Sequence, residues 1–98
     1  MAYRLEFLPQ AIEDLSELEN DLTLQKRFKA VRKALGFLSL NPKHPSLNTH
    51  KFSSKEGPNK EEIFEAYAEN NTPAAYRIFW FYGPNKKVIT IIAITPHP

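Results

Sequence analysis

The sequence predicts an α+β domain in which an N-terminal helix hairpin packs on one face of a curved, mainly antiparallel sheet. The chain has 98 residues, which suffices for one domain over residues 1–98 but not for two hydrophobic cores. Two amphipathic helical patterns follow a short alternating strand, and three strand-like segments separated by turn signals come after them. Helices grouped apart from strands along the chain are typical of α+β folds. The predicted element order is β-α-α-β-β-β.

The first half of the chain contains the predicted helix hairpin. Residues 3–8 alternate apolar and charged side chains, the pattern of a short strand, and Pro9 then suits the first turn of a helix. Apolar residues recur every three or four positions from Ala11 to Leu22 and again from Leu24 to Leu38. The residue before Pro42 is disfavoured in a helix, so the second helix should end there. Two or three connecting residues predict an antiparallel hairpin.

The second half of the chain contains the predicted sheet. Segments 62–69, 75–82 and 87–94 are rich in aromatic and β-branched residues, and turn signals at 70–73 and 83–86 separate them. They predict an antiparallel meander, with the nearly all-apolar last strand at the centre of the sheet. The connection over residues 41–60 is long for a compact domain, so it is either functional or contains a short strand around residues 49–53.

Composition and missing motifs exclude several function classes. The chain has no cysteine, which removes disulfides, thiolate metal sites and a cysteine nucleophile. It contains no glycine-rich phosphate loop, no pair of histidines at zinc-protease spacing and no nucleophile elbow. No apolar run is long enough to cross a membrane. We therefore expect a cytoplasmic protein with no cofactor and no metal.

Arg77 is the first candidate functional residue, because it interrupts an apolar aromatic strand. Burying a guanidinium is costly unless it meets a carboxylate or a ligand. Two interpretations follow: an ion pair with Glu65 or Glu69 on the neighbouring strand, or a clamp for a phosphate. Alternation places Glu65, Tyr67 and Glu69 on one strand face. If the register brings this face beside Arg77, a carboxylate, a phenol and a guanidinium converge, as proton transfer at a phosphodiester requires.

The remaining candidates are cations and histidines. His97 lies between Pro96 and Pro98 and is either a frayed terminal residue or a general acid held over the end of the sheet. The second helix carries a basic stripe that is either a solvated face or a surface for RNA phosphates; its members are Lys26, Lys29, Arg32 and Lys33. His50 and Lys51, in the long connection, complete the candidate RNA contacts. The net charge of +2 is low for a nucleic-acid binder.

The order of these segments resembles the RelE/ParE superfamily of toxin–antitoxin toxins. The resemblance is carried by residues 3–7, by Ala11 and Asp14-Leu15, and by the stretch from Leu35 to Pro42. It continues through Leu47, the run Tyr76-Arg77-Ile78-Phe79-Trp80 and the closing apolar strand. It covers nearly the whole chain in the right order.

The resemblance implies a small bacterial toxin that a cognate antitoxin neutralises by wrapping around it. Toxins of the RelE branch cleave mRNA in the ribosomal A site without a metal, and toxins of the ParE branch inhibit DNA gyrase. A fold alone does not choose between these activities. The resemblance therefore leaves three hypotheses open: a ribosome-dependent endoribonuclease that represses translation, a gyrase inhibitor, or an inactive protein that only binds its antitoxin. The ribosome and mRNA are partners only in the first, and gyrase only in the second.

We adopt the endoribonuclease as the first hypothesis, because the resemblance implies roles for particular residues. Arg77 matches the arginine that holds the scissile phosphate in the nuclease branch, and His97 matches a C-terminal histidine that acts there as general acid. Glu65 and Tyr67 stand where the best-known members carry two lysines. We expect Glu65 to accept the 2′-hydroxyl proton, with Tyr67 or His50 as a substitute. Pro98 replaces the terminal aromatic residue of the family.

Overall fold

The computed structural model describes residues 2–70 and 72–96. It contains five strands and two helices, listed here in chain order: β1 (Arg4–Phe7), α1 (Pro9–Asn20), α2 (Gln25–Leu40), β2 (His50–Glu56), β3 (Glu62–Tyr67), β4 (Tyr76–Tyr82) and β5 (Val88–Pro96). Short 3-10 turns at Leu22–Leu24 and Pro45–Leu47 precede α2 and β2. The predicted α+β class and helix hairpin are confirmed.

The strands form one sheet in the order β1-β5-β4-β3-β2. All neighbours are antiparallel except β1 and β5, which run parallel. β5 therefore lies inside the sheet, as its apolar sequence predicts. The two edge strands are β1 and β2, and β2 is the strand that one interpretation of the long connection predicted. No helix among the described residues is both long and apolar enough to span a membrane.

The helix hairpin covers one face of the sheet and forms the hydrophobic core with it. Leu18 of α1 and Leu38 of α2 are buried against Ile78 and Trp80 of β4 and Ile91 of β5. Because side chains alternate along a strand, the residues between these face the opposite side of the sheet. We call that side the open face, since the hairpin does not cover it.

Strand β3 is shorter than predicted, and this corrects the placement of Glu69. The strand ends at Tyr67 rather than at residue 69. Glu69 instead accepts hydrogen bonds from Nη1 of Arg27 in α2 at 2.8 Å and from the backbone N–H of Tyr76 at 3.2 Å. A partly buried carboxylate needs such donors. Glu69 therefore joins the turn before β4 to the helix hairpin and does not share the face of Glu65 and Tyr67.

Asp14 attaches α1 to the far half of β5. The β4–β5 register shifts between Phe79 and Trp80, and β1 pairs with β5 only as far as Ile91. Beyond that point the backbone N–H of Ile94 donates a 2.9 Å hydrogen bond to Oδ2 of Asp14. A side chain of the helix thus replaces a strand partner and orients the last part of β5.

We expect Asp14→Ala to lower the free energy of unfolding by about 1 to 3 kcal/mol, because it leaves the Ile94 N–H in the interior without an acceptor. Urea unfolding followed by circular dichroism measures this loss. Asp14→Asn keeps an acceptor oxygen and should retain most of the stability, and the exposed Glu13→Ala is the control in the same helix. Equal stability of Asp14→Ala and Glu13→Ala would contradict this role of Asp14.

Candidate active site

Glu65 is the centre of the candidate site on the open face. It lies in β3 with only 3% of its surface exposed, one of two buried polar or charged residues in the described core. Its two carboxylate oxygens contact different side chains. Oε2 accepts a hydrogen bond from Nη1 of Arg77, and Oε1 lies 2.7 Å from Nε2 of His50. Burial of the carboxylate is compensated by these partners from the two flanking strands.

Arg77 lies beside Glu65 because β3 and β4 pair in the register that places Tyr67 opposite Arg77. The Nη1–Oε2 distance is 2.7 Å, and 19% of the arginine side chain is exposed. The intramolecular pair considered from the sequence is therefore present, with Glu65 rather than Glu69 as the partner. The Nε atom of Arg77 is buried and has no hydrogen-bond partner among the described residues. The guanidinium thus retains an N–H donor that no described protein group satisfies.

His50 is the first residue of β2 and pairs with Glu65 of β3. Its side chain is about half exposed, at 48%. Its other ring nitrogen, Nδ1, lies 3.0 Å from the backbone carbonyl oxygen of Asn48. Both neighbours of the ring are acceptors, and a neutral imidazole has one N–H, so the two hydrogen bonds coexist only in the protonated ring. His50 is thus the solvent-facing member of a Glu65–His50 pair.

The ring of Tyr67 contacts both Arg77 and His50. The guanidinium carbon of Arg77 lies 4.4 Å from the centre of the Tyr67 ring, within the range of a cation–π contact. The His50 ring meets the same phenol edge-on, with the ring centres 5.6 Å apart. Tyr67 therefore positions Arg77 and His50, in addition to presenting its hydroxyl.

The structure places the other candidates away from this cluster. The basic stripe of Lys26, Lys29, Arg32 and Lys33 is exposed on α2, across the sheet from Glu65. Lys51 is 70% exposed and lies 3.4 Å from Glu62. His97 and Pro98 lie outside the described residues. In residues 2–70 and 72–96 there is no group of three or more His, Asp or Glu side chains that could hold a metal ion.

Sequence reasoning allowed Arg77, Glu65 and Tyr67 to converge if the register permits, but it treated His50 as an RNA contact and as a substitute base, and it missed Asn48. Strand β2 reads His-Lys-Phe-Ser-Ser-Lys-Glu, with little apolar alternation to mark a strand or its register. Asn48 adopts the left-handed conformation, with φ of 46°, which asparagine tolerates better than most residues. An Asn two residues before a His was the available signal, and it is a weak one.

Comparison with known proteins supports the resemblance at the level of the fold. No protein-family model and no curated protein matches the sequence. A chain of the archaeal RelE–RelB complex from Pyrococcus horikoshii OT3 is 20% identical, with a TM-score of 0.66, over 98% of this chain and 96% of that one. The YoeB dimer from Staphylococcus aureus matches at 17% identity and 0.71 over the full length of both chains. The intact E. coli RelBE toxin–antitoxin complex matches at 15% and 0.62, over 99% of each. This chain therefore has the fold of the RelE-type toxins, as predicted.

We expect Glu65→Leu to lower the free energy of unfolding by about 3 to 5 kcal/mol, because it leaves the partly buried Arg77 without its carboxylate. The double variant Glu65→Leu/Arg77→Met should recover much of this loss, since an apolar pair leaves no charge uncompensated. Urea unfolding of the two single variants and the double variant completes the cycle. Additive losses in the double variant would contradict the coupling of these two side chains.

Proposed function

We propose that this protein is the toxin of a bacterial toxin–antitoxin pair and that it is a metal-independent, ribosome-dependent mRNA endoribonuclease. The observation that carries the proposal is the cluster of Arg77, Glu65, His50 and Tyr67 on the open face of a RelE-type fold. The reaction is attack of a ribose 2′-oxygen on the adjacent phosphorus. A new P–O2′ bond forms, the P–O5′ bond breaks, and the products carry a 2′,3′-cyclic phosphate and a 5′-hydroxyl.

Arg77 is proposed to bind the scissile phosphate and to stabilise the charge that develops on it. Only Nη1 donates to Glu65, so the guanidinium keeps further N–H groups for phosphate oxygens. Guanidinium–phosphate contacts are often bidentate, so two of these N–H groups can bind one phosphate. The cation–π contact with Tyr67 orients the group before the substrate arrives. Such preorganised charge is commonly the largest contribution to catalysis.

The 2′-hydroxyl proton is proposed to go to His50 rather than directly to Glu65. Both oxygens of Glu65 are occupied and the carboxylate is almost fully buried, whereas His50 is half exposed. In the neutral ring, Nε2–H donates to Glu65, and Nδ1, which in that state makes no hydrogen bond to the Asn48 carbonyl, carries the lone pair that accepts the proton. The new N–H then faces the Asn48 carbonyl, so both partners stabilise the imidazolium. Glu65 orients the base, the role a buried aspartate has in hydrolytic triads.

Protonation of the leaving O5′ is assigned to His97, on the family resemblance. Two observations on the residues before His97 support the assignment. Thr95 pairs with Arg77 in the β4–β5 ladder, and Pro96 is the last residue of β5. The chain therefore runs past the phosphate clamp immediately before His97. An imidazole is suited to this step, because it titrates near physiological pH.

The remaining surfaces are assigned to macromolecular partners. The basic stripe on α2 is proposed to contact ribosomal RNA from the side opposite the reaction centre, and phosphate contacts of this kind supply most of the affinity in such complexes. The cognate antitoxin is proposed to bind the helix hairpin and the neighbouring sheet edge. A groove of about 800 Å³ runs there between α1 and the end of β5, lined by acidic residues and by the highly exposed Leu22.

We expect Arg77→Ala to reduce mRNA cleavage by at least about 100- to 1000-fold, the usual cost of removing a preorganised charge at a phosphate. Sequencing of new RNA 5′ ends in bacteria shortly after induction of the protein measures this. Wild-type protein should create ends in codon register within translated messages. Arg77→Lys keeps the charge but not the planar fork and should recover only part of the activity.

Controls separate chemistry from folding in this experiment, because Arg77 also balances the charge of Glu65. Each variant should be folded at the growth temperature and should show a cooperative transition in urea unfolding at that temperature. Growth arrest by wild-type protein without new RNA ends would reject the nuclease and favour gyrase or another target. Neither arrest nor new ends would favour a protein that only binds its antitoxin.

We expect His50→Gln to lower cleavage by about 100- to 10,000-fold, because the amide can still donate to Glu65 but cannot accept a proton. Single-turnover cleavage on programmed ribosomes measures this loss. His97→Ala, which removes the proposed general acid, should slow cleavage in the same assay. Lys55→Gln, further along β2, is the matched control. Cleavage by His50→Gln at the wild-type rate would leave the base to another group.

A further inference from the structure

The helix hairpin has an outer side, turned away from the sheet, that is exposed in the single chain. We call it the hairpin face. Because an α-helix has 3.6 residues per turn, the face consists of residues opposite the buried Leu18 of α1 and the buried Val31 and Leu38 of α2. Its charged members are all exposed, and they include Glu13 and Glu17 of α1 and Lys29 and Lys33 of α2.

The two halves of the hairpin face have opposite charge. None of the charged residues Glu13, Glu17, Lys29 and Lys33 forms an ion pair within residues 2–70 and 72–96. Thr23 lies in the middle of the turn between the helices. Glu17 and Lys29 are each six positions from Thr23, and Glu13 and Lys33 are each ten positions from it. Since the helices are antiparallel and rise by about 1.5 Å per residue, each acidic residue lies level with a lysine of the other helix.

The end of the hairpin face away from the turn is apolar. Ile12 is 57% exposed and Leu40 is 70% exposed. Gly36 lies in the interior of α2, where glycine is less favourable than alanine. A Cβ atom at Gly36 would meet no atom within 4 Å, so the packing of the single chain does not require glycine there. Glycine does allow close approach of another helix, and Ile12 lies at nearly the same level.

A second copy of the chain matches both halves of the hairpin face at once. A two-fold axis parallel to the helices places α1 of one copy against α2 of the other, and the reverse contact follows from the symmetry. Residues at the same level then meet across the interface. Glu13 meets Lys33 of the second copy, Glu17 meets its Lys29, and Ile12 approaches its Gly36. Charge and shape complementarity thus arise together.

We propose that the hairpin face is a self-association surface, through which two copies of this chain form a reversible two-fold symmetric dimer. The distribution of charge favours this occupant over others. RNA or an acidic protein segment is attracted by α2 but repelled by α1, and a basic segment is attracted and repelled in the opposite way. A second copy carries both charges in the matching order, so it avoids like-charge contacts over the whole face.

The size of the hairpin face indicates a weak dimer. With 16 residues, α2 is about 24 Å long, and two adjacent helices are about 20 Å wide. Each copy therefore covers about 500 Å², which is typical of a transient interface rather than an obligate one. The dimer covers the basic stripe on α2, so it excludes the contact with ribosomal RNA proposed above. Only this exclusion rests on the proposed function, because self-association is a property of the chain alone.

Sedimentation of the full chain from micromolar to millimolar concentration tests the proposal. We expect a shift from monomer to dimer that salt weakens, because exposed charges are screened. Glu13→Lys and Lys33→Glu should each weaken association by about 10-fold or more, since each like-charge contact occurs twice in a symmetric dimer. The double variant Glu13→Lys/Lys33→Glu should associate like wild type. An equimolar mixture of the two single variants should also form dimers, because each supplies the charge that the other needs.

Controls separate the proposed contact from net charge and from folding. Glu56→Lys and Lys55→Glu make the same charge changes on the exposed end of β2 and should each associate like wild type. Gly36→Gln should raise the urea midpoint of the dilute monomer, because glutamine is the better helix former. The same variant should weaken association by about 5- to 150-fold, the usual effect of overpacking a close contact.

The outcomes separate this inference from the proposed function. A wild-type chain that stays monomeric up to millimolar concentration overturns the proposal, and so does failure of both the double variant and the mixture to restore association. If RNA or the antitoxin shifts the NMR signals of the hairpin face and higher protein concentration does not, the face binds another partner and the proposal is overturned. If association follows the charge exchange but no cleavage depends on Arg77, the self-association surface stands and the nuclease does not.

Discussion

The buried carboxylate of Glu65 is the constraint on which the site and the sheet register both depend. An unpaired carboxylate in the interior is strongly unfavourable, so Glu65 is tolerated only when β2 brings His50 and β4 brings Arg77 to its two oxygens. A slip of one residue in either strand turns its side chain to the other face of the sheet. The pairing that stabilises Glu65 therefore also assembles the proposed phosphate clamp and the proposed base. Stability and the proposed function share these three side chains.

The sheet divides the molecule into two sides with different tasks. The helix hairpin uses one side to build the core around Trp80, which leaves the open face free to present polar groups on a rigid support. Sites on strands hold their geometry better than sites on loops. The acidic groove lies between α1 and the end of β5, on the hairpin side of the sheet, whereas the cluster around Glu65 lies on the open face. The proposed antitoxin and RNA surfaces are thus separate.

The fold was largely predictable, and the site was predictable in part. Spacings of three and four residues indicate both helices, and turn residues separate the last three strands. The apolar neighbours of Arg77 require that it has a partner, which led to Glu65 or Glu69. Glu69 was predicted on the same face, but the strand ends at Tyr67 and Arg27 binds that carboxylate instead. His50 was predicted only as a substitute for Glu65 as the base, because the polar sequence of β2 does not indicate a strand.

The sequence by itself determined the hydrophobic periodicity, the absence of thiol chemistry and the presence of a cation within an apolar strand. These are local properties, since each depends on residue types and their spacing along the chain. Only the tertiary structure decided which carboxylate meets Arg77, that His50 completes the pair, and that Asp14 of α1 binds the backbone of β5. Those contacts join residues 12 to 80 positions apart in sequence. They depend on strand register and edge order, which arise from packing of the whole sheet rather than from any short segment.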